Sequence, residues 1–395
     1  MNIKPVSFQR GMRVIRNNRF SPLSYQQIDE KSYARSPVMK RGKGPYLYDY
    51  DDNRFIDFDL QNGALVHGHA PPRLTSVIKA WLGRGFSHGF PSAAHRPLSR
   101  TMHDVLYTES NLELKLLYLD SEFEAVCVLP QLLSGAVRGG GGVYISNWKK
   151  PHGIEYTPLY CHNLQTSSFE DVKNLNAERI DYAILRIDET VDLEMVRGGS
   201  EWLRNNDIPC IGDAANISSF LHMKRLVDWH SQFDAVLYGN WLASGLPFSA
   251  IAVHNVSLMK VHSGSQNMST TSIAARIETG TSSLYKLKAA QRSLHLFRKN
   301  GAFNQLTNKH TRFFTALNKK HFQLLDGLVY LRDKDQLRNA YDDLRVHLLR
   351  AGFIFPHTYA HPVSLSFAHS DELLKKCAVN INEAMHLFYQ PISRS

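Results

Sequence analysis

The stretch LYGNWLASGLP, residues 237–247, determines how the rest of the chain is interpreted. A mostly apolar run at 233–237 leads into the turn residues Gly239 and Asn240, and a second apolar run follows at 250–253. Short apolar runs separated by glycine, small residues and proline predict a strand, a tight turn and a second strand.

The turn resembles the lysine turn of the class III aminotransferases and the glutamate-1-semialdehyde aminomutases, whose pattern runs roughly PDLxxxGKxxGGGxPxGA. Asp234 falls on the aspartate of PD, Gly239 on the glycine of GK and Ala250 on the final alanine. In that family the lysine carries pyridoxal phosphate (PLP) as a Schiff base. Asn240 stands at the lysine position here. Because an amide is not an amine nucleophile, the resemblance implies that this covalent step is lost.

Residues 114–126, LKLLYLDSEFEAV, resemble the family pattern VRFVNSGTEA. That pattern forms a strand, a turn that cradles the PLP phosphate and a helix N-terminus, where free N–H groups and the helix dipole bind the anion. Ser121 and Glu124 match the pattern, whereas Glu122 replaces its glycine and Phe123 its threonine.

A carboxylate in the cradle opposes the binding of a phosphate. Two unit charges about 4 Å apart repel by about 4 kcal/mol at an effective dielectric of about 20. If Glu122 points into the cradle, PLP binding therefore falls by orders of magnitude. If Glu122 points to solvent, the loss is smaller, and the sequence leaves both orientations open.

Four further positions bear on the same pocket. Asp213 falls on the carboxylate that pairs with the PLP pyridinium nitrogen in the family pattern LIFDE, although a strand-end Asp also caps turns. His152 keeps the histidine of the YHG pattern, but Pro151 replaces the aromatic ring that stacks on the cofactor. Ser24 replaces the Arg of NSPVRAF, which clamps a substrate carboxylate, and a neutral hydroxyl cannot supply that charge.

The segment ETGTSS, residues 278–283, resembles the family pattern GTLSGNP. Its threonine, Thr281 here, reaches into the neighbouring subunit's phosphate site in that family. The alternative is that Thr281 only caps the helix that follows.

The resemblance covers roughly residues 19–385, and the motifs follow one another in the family's order. It implies the α/β architecture of PLP-dependent transferases of fold type I. We expect a mostly parallel seven-stranded sheet sandwiched by helices, plus a small α+β domain from both chain ends. The expected parts are a basic N-terminal arm at 1–43, the first part of the small domain at 44–70, the large domain at 71–300 and the C-terminal small domain at 301–395. Within these parts we expect a hairpin in 44–60 and helices at 96–106, 201–206, 284–297, 342–351 and 371–385.

Composition and charge restrict the location and the partners. Hydrophobic content of 43% and charged content of 21% are those of a soluble globular protein. No apolar run is long enough to span a membrane, and the scattered cysteines favour a reducing cytoplasm.

Residues 1–43 hold ten Lys and Arg against Asp29 and Glu30, which indicates either a solvated arm or an anionic partner such as a nucleic acid or an acidic protein. His67 and His69 have no acidic or cysteine partner nearby in the sequence, so we expect no metal site.

The combined changes at the lysine, the cradle, the stacking ring and the substrate anchor predict a class III-like pseudoenzyme that uses no PLP. We expect a non-catalytic subunit or regulatory partner, present as a homodimer or as a heterodimer with an active class III relative. The alternative is an active PLP-dependent aminotransferase or aminomutase with an atypical site.

Overall fold

A computed structural model of the chain describes residues 37–86, 92–107, 114–132, 141–146, 164–187, 191–226, 228–254, 283–299, 301–332, 340–359 and 361–389. The strands are β1 (Met39–Lys43), β2 (Tyr46–Asp49), β3 (Arg54–Asp57), β4 (Lys115–Leu119), β5 (Gly141–Ile145), β6 (Gln165–Ser167), β7 (Ile180–Arg186), β8 (Cys210–Ala214), β9 (Ala235–Tyr238), β10 (Ser249–Val253), β11 (Phe322–Leu325), β12 (Leu328–Leu331) and β13 (Phe353–Ile354).

The α-helices alternate with these strands through most of the chain. They are α1 (Pro72–Leu82), α2 (His95–Leu106), α3 (Glu122–Leu132), α4 (Leu193–Asn205), α5 (Ile217–Met223), α6 (Leu284–Lys299), α7 (Ala302–Ala316), α8 (Tyr341–Arg350) and α9 (Asp371–Phe388). The chain divides into two units: one runs from Arg73 to Phe303, and the other combines the described residues up to Pro72 with those from Asn304 onward.

The larger unit contains a seven-stranded sheet in the order β4-β10-β9-β8-β7-β5-β6. Strand β10 runs antiparallel to both of its neighbours, and the other described pairs are parallel. Strands β7 to β10 are buried at every position, as expected for parallel strands that are covered on both faces. The predicted α/β fold with a mostly parallel seven-stranded sheet is confirmed.

Helices contact this sheet along β4 and along β8 to β10. Helix α3 contacts β4, β9 and β10, whereas α4 and α5 contact β8. Beneath α3 the strands contribute a continuous apolar core that includes Leu117, Ile184, Ile211, Leu237 and Ile251. Removing this apolar surface from water stabilises the unit by about 25 cal/mol for each Å² buried.

The smaller unit contains a four-stranded sheet in the order β1-β2-β3-β13. The hairpin expected in 44–60 is present as β2 and β3, which pair in antiparallel register. The Asp49 carboxylate accepts hydrogen bonds from the backbone N–H groups of Asp51 and Asn53, which fixes the connecting turn. Strand β13 pairs with β3 in parallel, so both ends of the chain contribute to one sheet.

Three local expectations differ from the structure. The last residues of the expected arm, Met39–Lys43, form strand β1 because they pair with β2. Helix α4 begins at Leu193 rather than at the expected 201, and it continues through Gly198 and Gly199 although glycine lowers helix propensity. A Cβ on Gly199 would lie 3.3 Å from the Phe169 ring, so packing accounts for that glycine.

The third difference lies in the stretch at 237–247. A 3₁₀ helix, Asn240–Ala243, separates β9 from β10, where the sequence predicts a tight turn. Among the helices that the structure describes, none has both the length and the apolar content needed to cross a bilayer.

Candidate functional site

The candidate site lies at one edge of the seven-stranded sheet. Strands β4, β8 and β9 point in the same direction, and Glu122, Asp213 and Asn240 lie at or just beyond their carboxyl ends. In open α/β sheets, ligands bind outside the carboxyl ends of the strands. The fold therefore brings together three of the residues that the sequence singles out.

The Asn240 turn is held by bonds within itself and to β8. The backbone N–H of Gly245 donates to the Asn240 carbonyl at 2.9 Å. The indole Nε1 of the buried Trp241 donates to the carbonyl of Ala214 at 2.9 Å. These bonds fix the position of Asn240 at the mouth of the site.

Gly239 is required by a close approach of two backbone segments. A Cβ at this position would lie 2.3 Å from the Ala215 carbonyl oxygen and 2.7 Å from Glu122 Oε1. The first contact is with backbone, which has little freedom to move. The glycine of the resembled GK pattern thus has a steric role here that does not depend on a lysine after it.

The N-terminus of α3 is capped from both directions. Ser121 Oγ accepts a hydrogen bond from the Glu124 N–H at 3.1 Å, and Glu124 Oε2 accepts one from the Asp120 N–H at 2.9 Å. This reciprocal pattern is close to a capping box. The Nζ of the largely buried Lys286 lies 3.0 Å from Asp120 Oδ1 and anchors the same turn from α6.

Glu122 points toward the Asn240 turn, which resolves the orientation that the sequence leaves open. Its Oε1 accepts a hydrogen bond from the Asn240 backbone N–H at 2.8 Å. Burial raises the pKa of the Glu122 carboxyl and the nearby charge of Asp213 adds to the rise, while hydrogen bonds from the N–H groups of Glu122 and Asn240 act in the opposite direction. The carboxylate therefore lies inside the site rather than in bulk solvent.

Phe123, which replaces the family's threonine, has the opposite orientation. This residue is 53% exposed. The substitution thus removes a hydroxyl from the turn but places no aromatic ring in the site.

Asp213 is 2% exposed and accepts hydrogen bonds at both carboxylate oxygens. The Tyr144 hydroxyl donates to Oδ2 at 2.9 Å, and the Ala215 backbone N–H donates to Oδ1 at 3.0 Å. The bond from Ala215 is the turn-capping role weighed from the sequence. Pairing of Asp213 with a pyridinium nitrogen stays a prediction.

Sequence reasoning missed Arg186, which is the register partner of Asp213 across β7 and β8. Arg186 is buried, so a cation lies within the sheet at the edge that carries the site. The sequence did contain a signal, because Arg186 interrupts the otherwise apolar residues 182–187. Tyr144, the hydroxyl donor to Asp213, was missed because nothing in the sequence indicates which strand lies opposite.

The remaining predicted positions, Ser24, Pro151, His152 and Thr281, lie outside the described residues. Within the part of the chain that is described, no group of three or more His, Cys, Asp or Glu residues is placed to hold a metal ion. His69 Nε2 instead lies 2.8 Å from Asp57 Oδ2, which agrees with a structural role for that histidine.

Comparisons with known proteins agree with this architecture. No protein-family model matches the chain. A glutamate-1-semialdehyde 2,1-aminomutase 2 from Bacillus thuringiensis is 42% identical over 71 residues, which is 18% of this chain. The same match is found with the aminomutase 2 of Bacillus cereus. The matched segment spans only 17% of the length of these relatives.

Solved structures match over nearly the whole chain. A transaminase with PLP bound aligns with a TM-score of 0.73 at 15% identity and covers 97% of this chain and 98% of its own. A glutamate-1-semialdehyde aminomutase from Pseudomonas aeruginosa aligns with a TM-score of 0.73 at 14% identity, over 96% and 94% of the two chains. An omega-transaminase from Sphaerobacter thermophilus gives 0.71 at 16% identity, over 96% of each. The fold is that of the class III PLP aminotransferases, and the predicted resemblance to them is confirmed.

The described residues do not fit PLP as that family holds it. The side chain on the turn after β9 is an amide, Asn240, rather than an amine. A carboxylate lies at the N-terminus of α3 and bonds to the same turn. A phosphate and a Schiff base would both need groups that these two residues do not provide.

Proposed function

We propose that this chain is a non-catalytic relative of the class III aminotransferases, which acts as a subunit or regulatory partner without PLP-dependent chemistry. The single observation that carries the proposal is Asn240 at the head of the turn after β9, with its backbone held by Glu122 and Gly245. The side chain at this position is an amide, which provides no amine nucleophile.

The test is a spectrum of the purified protein with and without added PLP. We expect no Schiff-base absorbance from the site in the near-UV or visible, and no adduct on a lysine in the cleft after borohydride reduction and peptide mapping. An active class III aminotransferase, treated in parallel, provides the positive control. A reducible adduct on any lysine in the cleft would overturn the proposal.

The alternative, an active PLP-dependent aminotransferase or aminomutase with an atypical site, has one observation in its favour. Lys286 is buried, and its Nζ lies 3.0 Å from Asp120, the residue before the predicted cradle. Lys286 therefore places an amine beside the predicted cradle, but on helix α6 rather than on the segment after β9 that holds Asn240. The same peptide mapping separates the two functions, because the alternative requires an adduct at Lys286 that is absent from the Lys286→Gln variant.

For the partner, we propose a dimer in which this chain is the silent half of a pair with an active class III relative. The support comes from the sequence, because the motif around Thr281 resembles the residues that a subunit of that family donates to its neighbour. Co-expression with an active relative from the same genome tests this. We expect a mixed dimer whose PLP affinity falls when Thr281 is replaced by Ala, whereas homodimers alone would contradict the pairing.

A further inference from the structure

We propose that the Glu122 carboxylate is an internal anion, which binds the N-terminus of α3 and the Asn240 turn together and so excludes external phosphate groups from the cradle. The inference deepens the proposed function, because it describes how the same site is kept closed to anionic ligands. It concerns Glu122 alone and not the missing amine at Asn240.

The first support is that N–H donors at the start of α3 already have acceptors within the protein. The first N–H groups of a helix have no partner within the helix, and an anion normally meets them. Here the Glu124 N–H donates to Ser121 Oγ and the Ala125 N–H to the Ser121 carbonyl. The N–H of Glu122 itself acts on its own carboxyl, since a hydrogen bond from it opposes the rise in the pKa of that group.

The second support is the bond across the site. The Glu122 carboxylate also accepts the Asn240 N–H at 2.8 Å, from a turn on a different strand of the sheet. One side chain thus satisfies donors from both walls of the cradle. An external phosphate would have to displace that side chain to reach either donor.

The third support is electrostatic. The positive end of the α3 dipole favours a carboxylate at this place. The carboxylate in turn repels a second anion at the short distances that a shared cradle imposes. The expected penalty in affinity for an external phosphate is about tenfold or more.

Steric fit points in the same direction. A Cβ on Gly239 would lie 2.7 Å from Glu122 Oε1, so the carboxylate rests directly against the backbone of the turn. A larger anion entering beside Glu122 would meet the same backbone. Charge and space therefore act together, and they can be separated by substitution.

The experiment titrates the full-length protein with inorganic phosphate and follows binding by calorimetry and Tm. Glu122→Ala removes both the charge and the bulk, whereas Glu122→Gln removes the charge and keeps the length and an acceptor oxygen. Glu194→Ala is the matched control, since Glu194 is an exposed acidic residue in the first turn of another helix, α4. All proteins are compared at one ionic strength, with sodium chloride replacing phosphate.

We expect phosphate to bind Glu122→Ala at least about tenfold more tightly than the unmodified protein and to raise its Tm, because an anion then reaches the freed donors. Glu122→Gln should bind with intermediate affinity, and it carries the test if the alanine variant does not fold. Glu194→Ala should behave as the unmodified protein.

The inference would be overturned if neither Glu122 variant bound phosphate more tightly than the unmodified protein. That result does not bear on the missing amine. Conversely, a borohydride-reducible adduct on a lysine in the cleft of the unmodified protein would reject the proposed function without deciding the role of Glu122.

Discussion

The Glu122 carboxylate accepts a 2.8 Å hydrogen bond from the backbone N–H of Asn240, a residue 118 positions away in the chain. These two residues are departures from the family patterns that the sequence shows in separate motifs. In the folded chain these two residues contact each other directly. The expected replacements at the lysine position and in the phosphate cradle of the resembled patterns therefore concern one local structure.

This contact predicts that Asn240→Lys alone does not create a PLP-binding protein. The new amine would face a cradle that still holds the Glu122 carboxylate and lacks the threonine hydroxyl replaced by Phe123. We expect PLP affinity at least about tenfold weaker in this variant than in the triple variant Asn240→Lys, Glu122→Gly, Phe123→Thr. Absorbance titration with PLP measures both. A stable yellow protein from the single change would contradict the role assigned to Glu122.

The close approach at Gly239 predicts a large difference between two glycine substitutions. Gly239→Ala should lower the free energy of unfolding by about 1–3 kcal/mol, because its Cβ would lie 2.3 Å from the Ala215 carbonyl oxygen. Gly198→Ala in α4 should raise it by about 0.5–1 kcal/mol, since that site has no atom within 4 Å of the added Cβ. Urea unfolding of both variants gives the comparison. Equal effects at the two sites would contradict the steric account.

A buried chain of hydrogen bonds predicts that two Tyr→Phe substitutions lower the free energy of unfolding by different amounts. The Tyr238 hydroxyl donates to the Tyr107 hydroxyl at 2.8 Å, and the Tyr107 hydroxyl lies 2.9 Å from His254 Nε2. Since His254 Nδ1 faces two backbone carbonyls and carries the proton, Nε2 is the acceptor. Tyr107→Phe leaves both neighbours without their partner and should cost about 1–3 kcal/mol in the free energy of unfolding.

The control for that chain is Tyr238→Phe, which removes only its terminal donor. We expect a smaller loss of about 0.5–1.5 kcal/mol, because Tyr107 still donates to His254. Chemical unfolding at neutral pH distinguishes the two. If Tyr238→Phe were the more damaging change, donation from Tyr238 through Tyr107 to His254 would be the wrong direction.

Two buried histidines predict that the smaller unit loses stability in acid. Burial is the main cause that lowers the pKa of His310 and that of His369 to about 3. The charge of Lys309 adds to the lowering in both; His369 also lowers the pKa of His310, and His69 that of His369, which Asp57 opposes. Because the unfolded histidines titrate near 6.5, their neutral forms stabilise the fold fully above that pH. The contribution is lost as pH falls from about 6.5 toward 3, by about 2 kcal/mol for each histidine at pH 5.

Unfolding free energies at pH 5 and pH 7.5 measure this loss. His310→Asn keeps an acceptor near the position of Nδ1, which lies 3.4 Å from the Val329 N–H, and should reduce the difference between the two pH values. The exposed His386 offers the control, since His386→Asn should leave the difference unchanged. A His310→Asn protein with an undiminished pH dependence would show that other groups cause it.

Much of the fold was predictable from the sequence because its strands are short apolar runs between recognisable turns. Strands β7 and β10 are nearly continuous apolar segments, and the hairpin of β2 and β3 is indicated by alternation around an Asp-Asp-Asn turn. The start of α4 was missed, because Gly198 and Gly199 read as a break when the Phe169 ring that Gly199 packs against is not known.

The sequence by itself determined which chemical groups the site has: an amide at Asn240, carboxylates at Glu122 and Asp213, and no lysine on the turn. Only the tertiary structure decided where Glu122 points, that Tyr144 donates to Asp213 and that Arg186 lies opposite it in register. The physical reason is that residue chemistry belongs to each side chain alone. The orientation of a side chain depends on donors and backbone atoms that other strands bring near it, and those neighbours exist only once the sheet has formed.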